Sequence, residues 1–186
     1  MITSPSNLIE GLILILKANI GDIDSLIRAY RQEDSLHLFK GVRKTLPLSA
    51  FPALEMEPVS GTMEWAHTGA MTGRYAIDCI LTVNCGTSVE TGVEYICELT
   101  RKIVQVFNSP ENMTWIIPDE YQDMEKTPVL CQYSDIRNVE YSAAQDSVMR
   151  TARWRVCCQV LEHFPQPGRV LGPQRVNWKE DHIPGK

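Results

Sequence analysis

RYAIDCILTVNC, residues 74–85, decides the fold. Tyr75, Ile77, Cys79, Leu81, Val83 and Cys85 alternate with Arg74, Ala76, Asp78, Ile80, Thr82 and Asn84. Successive side chains point to opposite faces of a strand, so this spacing predicts one long half-buried β-strand with the tyrosine set inward. A sheet with one wet face needs a partner layer for the other, and the chain around this strand supplies it.

Upstream lies LPLSAFPALEMEPVSG, residues 46–61, with prolines at 47, 52 and 58. Proline gives nothing to a β-ladder and belongs at strand ends, edges and bulges. The stretch predicts a short edge strand over Ala53–Pro58, with Leu54 and Met56 inward and Glu55 and Glu57 outward. Residues 59–72, with Gly61, Gly69 and Trp65, read as a loop or a loose hairpin arm. Further upstream, Ser4-Pro5 and the pair Asn7/Glu10 are alternative helix starts. The apolar stripe from Leu8 to Tyr30 predicts helices over 5–19 and 22–32, interrupted near Gly21-Asp22. Arg31–Lys44 is then a polar connector, anchored by Leu36, Leu38 and Phe39.

Downstream, Thr87 with Glu90 opens a helix over 88–108, which Asn108-Ser109-Pro110 stops. Residues 109–127 are irregular and carry the acidic run Asp119, Glu120, Asp123 and Glu125. A strand over 128–141 follows, with Val129, Cys131 and Tyr133 inward until a bulge at Asp135–Asn138. The last strand, Val148–Phe164, turns Ala152, Trp154, Val156, Cys158 and Val160 one way and Arg153, Arg155, Cys157 and Gln159 the other. The expected fold is α+β: two main helices packed on one face of a mostly antiparallel four-stranded sheet, in a single domain over 1–163. Residues 164–186 form an extended, Pro/Gly-rich C-terminal arm.

Composition narrows the function. A net charge of −5 speaks against a dedicated nucleic-acid binder, whose affinity comes from neutralised phosphates. The apolar run Leu12–Leu16 is too short to cross a bilayer and has no basic leader, so the chain is expected to fold in a cytoplasm, away from membranes. Its six cysteines have no C-x-x-C spacing and read as small core residues. No P-loop, dinucleotide fingerprint, G-x-S-x-G elbow or H-E-x-x-H pair is present. The sequence therefore predicts no metal, no cofactor and no catalytic residues. A Cys–His pair such as Cys157 with His163 is a conceivable nucleophile and base, and Cys157 or another thiol keeps a small cytoplasmic thiol enzyme as the alternative of another class. In the arm, Arg169, Arg175 and Trp178 are residue types favoured as interface anchors. They fit an arm wrapping a neighbour or one packing on its own domain.

The order of elements, with LPLSAFPALEMEP, RYAIDCILTVNC, TSVETGVEYICELTRKIVQVF and RTARWRVCCQVLEHF, resembles the tail terminator (tail completion) proteins of tailed bacteriophages over residues 5–162. A related neck or head-completion connector shares this pattern. The resemblance implies a non-enzymatic virion subunit that forms a ring, commonly a hexamer, at the head-proximal end of the tail. Such a ring ends tube growth and meets the tail-tube protein, the neck connector and, in contractile tails, the sheath. Under that reading Glu55 and Glu57 face Arg153 and Arg155 of the next subunit. The acidic run 119–125 then lines the lumen, where it lets DNA pass without sticking.

Overall fold

The computed structural model describes residues 4–30, 35–67, 70–85, 89–117, 128–134, 138–143 and 148–163. Among these residues three α-helices, α1 (Pro5–Ala18), α2 (Ile20–Tyr30) and α3 (Val89–Phe107), lie with seven strands. These are β1 (His37–Lys40), β2 (Ala53–His67), β3 (Ala70–Asn84), β4 (Trp115–Ile116), β5 (Pro128–Ser134), β6 (Glu140–Ala143) and β7 (Met149–His163). They form one sheet in the order β1-β2-β3-β7-β5-β4, with β6 also on β7. All pairs are antiparallel except β1 with β2, so the sheet is mixed and has seven strands where four were expected.

Ser4 is the helix start. Its backbone is extended, its Oγ accepts from Ser6 N at 3.3 Å, and Pro5 takes the first helical position. The break between α1 and α2 falls at Asn19, two residues before the expected glycine. Asn19 Nδ2 caps Ile15 O at 2.9 Å there. Leu8, Leu12 and Leu16 of α1, Ile23 and Ile27 of α2, and Tyr95, Leu99, Ile103 and Phe107 of α3 all bury against one sheet face. That face supplies Leu54, Met56, Ile77, Cys79, Leu81, Trp154, Val156 and Val160. The expected inward sets of β3 and β7 are therefore the core. Tyr30 stacks on Tyr95 at 5.2 Å and Lys102 pairs with Asp22 at 2.9 Å, which fixes α2 against α3.

Three expectations are corrected. First, β2 does not stop at Pro58 and is no short edge. It runs 15 residues and pairs β1 on one side and β3 on the other. Pro58 is tolerated because β1 has already ended opposite Met56, so nothing on that side needs its missing N–H. Second, the connector contains β1, and the irregular stretch contains β4. Third, the strand expected over 128–141 is two, β5 and β6, which share one edge of β7. A register shift between Val129 and Cys131 reverses the alternation, so Gln132 and Ser134 pair with the core-facing Cys158 and Val156.

That reversal buries Gln132 completely, and its groups are used. Its Nε2 donates to Phe107 O at 3.1 Å, and its Oε1 accepts from Trp115 Nε1 at 2.8 Å. Asn112 Nδ2 donates to Val106 O at 2.8 Å, so side chains cover two carbonyls at the end of α3. The Trp115 ring lies against Gly11 of α1. Replacing Gln132 by leucine leaves Trp115 Nε1 and Phe107 O without these partners. Urea unfolding is expected to show a loss of about 2 kcal/mol, from two buried polar groups left unpaired.

Candidate functional site: the open face of the sheet and its hairpin arm

Register brings the outward residues of three strands into rows. Glu57, Asp78 and Arg155 lie side by side across β2, β3 and β7, and Ile80, Arg153 and Glu140 across β3, β7 and β6. Asp78 is the centre. Arg155 Nε donates to its Oδ1 at 2.7 Å, and Arg153 reaches Oδ2 with Nε at 3.0 Å and Nη2 at 2.5 Å. The Asp78 side chain is 4 % exposed and each arginine 48 %, so the guanidinium groups roof the carboxylate and present their outer sides to solvent. Glu57 stands 4.0 Å from Arg153. Burial alone would push the Asp78 carboxyl up. The hydrogen bonds and charges of Arg155 and Arg153 outweigh it and hold the carboxyl below its ordinary range.

Arg153 and Arg155 thus meet an acid of their own chain, and only Glu57 of the two expected glutamates stands open beside them. Glu55 is buried, contrary to its expected outward exposure. It does lie on the face away from Leu54 and Met56, but the connector folds over it. Arg43 N donates to Glu55 Oε1 at 2.6 Å, and the Arg43 guanidinium sits 4.6 Å over the Phe39 ring. The acidic run Asp119, Glu120, Asp123 and Glu125 and the arm residues Arg169, Arg175 and Trp178 lie outside the described residues. The residue missed by sequence reasoning is Asp78. Its signal was an acid in mid-strand, with Arg-x-Arg on another strand of matching length.

Beyond Tyr75 the β2–β3 hairpin becomes an arm. Among the described residues of 57–73, none belongs to the core cluster. The Tyr75 ring closes the core at this end, lying where a Cβ on Gly61 or Gly73 would meet it at 3.0 and 2.7 Å. Past that point Met63 and Met71 are half-buried and Trp65 is 71 % exposed. Thr62, Glu64 and Arg74 are exposed on the other side, with Arg74 3.8 Å from Glu64.

Chemistry at this surface is electrostatic and apolar contact. Among the described residues no group of three or more His, Cys, Asp or Glu is placed to hold a metal ion. No helix among them is long and apolar enough to cross a membrane. Cys157 is half-buried on the open face opposite Ala76, and the His163 side chain lies outside what is described. Burial pushes the Cys79 thiol well above its ordinary range, with Cys158 and Asp78 adding to the effect. Maleimide labelling of folded protein should leave Cys79, Cys85 and Cys158 unmodified and reach Cys157 and Cys97. Rapid reaction at Cys79 would contradict this core.

No protein-family model matches the chain, and no curated protein matches it. Among solved structures, a chain from the virion of a native gene transfer agent particle is similar. The two are 7 % identical, over 83 % of this chain and 95 % of that one, with a TM-score of 0.43. That score is too low to speak for a shared fold.

Proposed function

We propose that this chain is a structural subunit of a tailed-phage-like particle, a tail terminator whose ring of six caps the tail tube and joins it to the neck. It has no catalytic role in this reading. It assembles in the host cytoplasm and stays in the virion at the head-proximal end of the tail. Its partners are further copies of itself, the tube protein, the neck connector and, in a contractile tail, the sheath.

The observation that carries the reading is the hairpin arm, with Trp65 at 71 % exposure beside Met63 and Met71. A subunit that worked alone would gain nothing from holding a tryptophan on an ordered strand in water, whereas an assembly surface uses such an anchor. The arm joins an α+β body in which α1, β2, β3, α3 and β7 follow the order on which the resemblance was drawn. The charged face fits as well, because Glu57 and the outer sides of Arg153 and Arg155 can orient a neighbour even while Asp78 holds the arginines. The acidic residues 119–125 are assigned to the lumen, where their charge repels DNA phosphates.

The test is tube assembly. Cognate tube protein polymerised in the presence of this chain should give tubes of limited length, each with density at one end in negative stain. Tubes of unrestricted length with both ends bare would reject the proposal.

A further inference from the structure

The sheet ends in two free edges at one level. Across the strands, Leu38 stands opposite Leu54, Leu54 opposite Leu81, Leu81 opposite Ala152, and Ala152 opposite Tyr141. The neighbouring row runs through Phe39, Glu55, Ile80, Arg153 and Glu140. Strands β1 and β6 are therefore opposite ends of the same rows. Each has four residues, and no described strand pairs with the outer side of either.

The backbone of both edges points outward at matching residues. His37 N donates to Pro52 O at 2.9 Å and Gly41 N to Met56 O at 2.7 Å, so Leu38 and Lys40 turn their own N–H and C=O away from β2. Cys85 N donates to Val148 O at 2.7 Å, and the β3–β7 register has no shift, so Ala152 bonds toward β3. Its partner Tyr141 is thus not bonded to it and turns N–H and C=O to the open side. The Leu38 and Tyr141 side chains lie on the same face of the sheet, in the row of the core residues Leu54 and Leu81. Such an edge is a template for a further strand.

The side chains are complementary too. Residues 35–54 carry Lys40, Arg43 and Lys44 and no acid. Lys40 pairs with Glu10, which leaves Arg43 over the Phe39 ring and an exposed Lys44. At the other edge Glu140 is exposed and has no ion pair among the described residues, and Tyr141 is half exposed beside Cys97 of α3. The two edges of one chain face opposite ways with β2, β3 and β7 between them, so only a second copy can join them. We infer that β1 of one copy pairs antiparallel with β6 of the next, Leu38 opposite Tyr141 and Phe39, with its Arg43, opposite Glu140. Because both edges occupy the same rows, this junction adds no shift along the strands from copy to copy, which suits a closed ring and not a filament. The inference rests on the ring reading and names the contact that closes the ring.

The experiment places p-benzoylphenylalanine at the exposed position of Ser142 in the full chain, which is mixed with isotopically heavy wild-type chain before assembly, alone and with tube protein. Irradiated ring fractions should yield light–heavy crosslinks from position 142 to residues 35–40. Arg43→Glu in the heavy chain should reduce their yield about fivefold by facing Glu140 with a like charge, and Glu140→Arg in the light chain should then restore it. Rings whose crosslinks fall elsewhere, or whose yield ignores both charge changes, would overturn this inference and leave the ring reading standing. Absence of any ring would remove both.

Discussion

Replacing Gly11 by alanine is expected to lower the unfolding free energy by about 2–3 kcal/mol, one of the largest effects of a single methyl group in this chain. A Cβ at position 11 would sit 1.9 Å from Trp115 Cζ3 and 2.4 Å from Cη2, so the indole must move. Moving it breaks the Nε1 bond to Gln132 at 2.8 Å and disturbs the cover over Phe107 O. The lost packing and hydrogen bond come to about 3–4 kcal/mol, against a helix-propensity gain of about 1 kcal/mol for removing a glycine. Thermal unfolding should show a melting temperature roughly 5–10 °C lower. Gly21→Ala is the control, since no neighbouring atom lies within 4 Å of its added Cβ. It should be neutral or slightly stabilising. Equal losses at both positions would mean that Trp115 does not lie against α1.

The second large effect is a change of sign. In the native chain the Asp78 carboxyl is held below its ordinary range by Arg155 and Arg153, against its own burial. A carboxyl lowered on folding contributes stability that is fully present above its unfolded value, near pH 4, and is lost as pH falls through the folded value. The double variant Arg153→Ala/Arg155→Ala leaves a buried carboxylate without its partners. Stability at pH 7 should drop by about 3 kcal/mol, the lower end for a broken buried pair, because water reaches Asp78 once its roof is gone. With only burial acting, the Asp78 carboxyl now lies above its ordinary range. The deficit against wild type should therefore shrink as pH falls from 7 toward 4, where wild type begins to lose the ion-pair contribution. Urea titrations at several pH values read this directly. A deficit that stays constant with pH would show that Asp78 is not what the arginines stabilise.

Much of this fold was legible in the sequence, because alternation is a strong signal where one face is dry. Residues 74–85 and 152–160 each gave the correct inward set, and α3 was found to within a residue at each end. What was missed has identifiable causes. His37–Lys40 is too short to show a period, and only pairing with β2 makes it a strand. Pro58 suggested a stop because a proline's cost depends on whether a neighbouring strand needs its N–H, and that is a property of the sheet. The shift after Val129 reversed the faces of β5, placing a polar Gln132 in the core where hydrophobic spacing expects none. The charged surface was half visible. Arg153 and Arg155 were singled out and stand on the open face, but their partner proved to be Asp78, whose selection needed the register of β3 against β7. Glu55 looked exposed because the covering connector lies more than ten residues upstream of it.

The most direct measurement of the central claim is the mass of the full chain by light scattering over a wide concentration range, alone and with the cognate tube protein. The ring reading predicts a species of six chains, formed by the protein itself or on addition of tube protein. A chain that stays monomeric at every concentration and ignores the tube protein would contradict it.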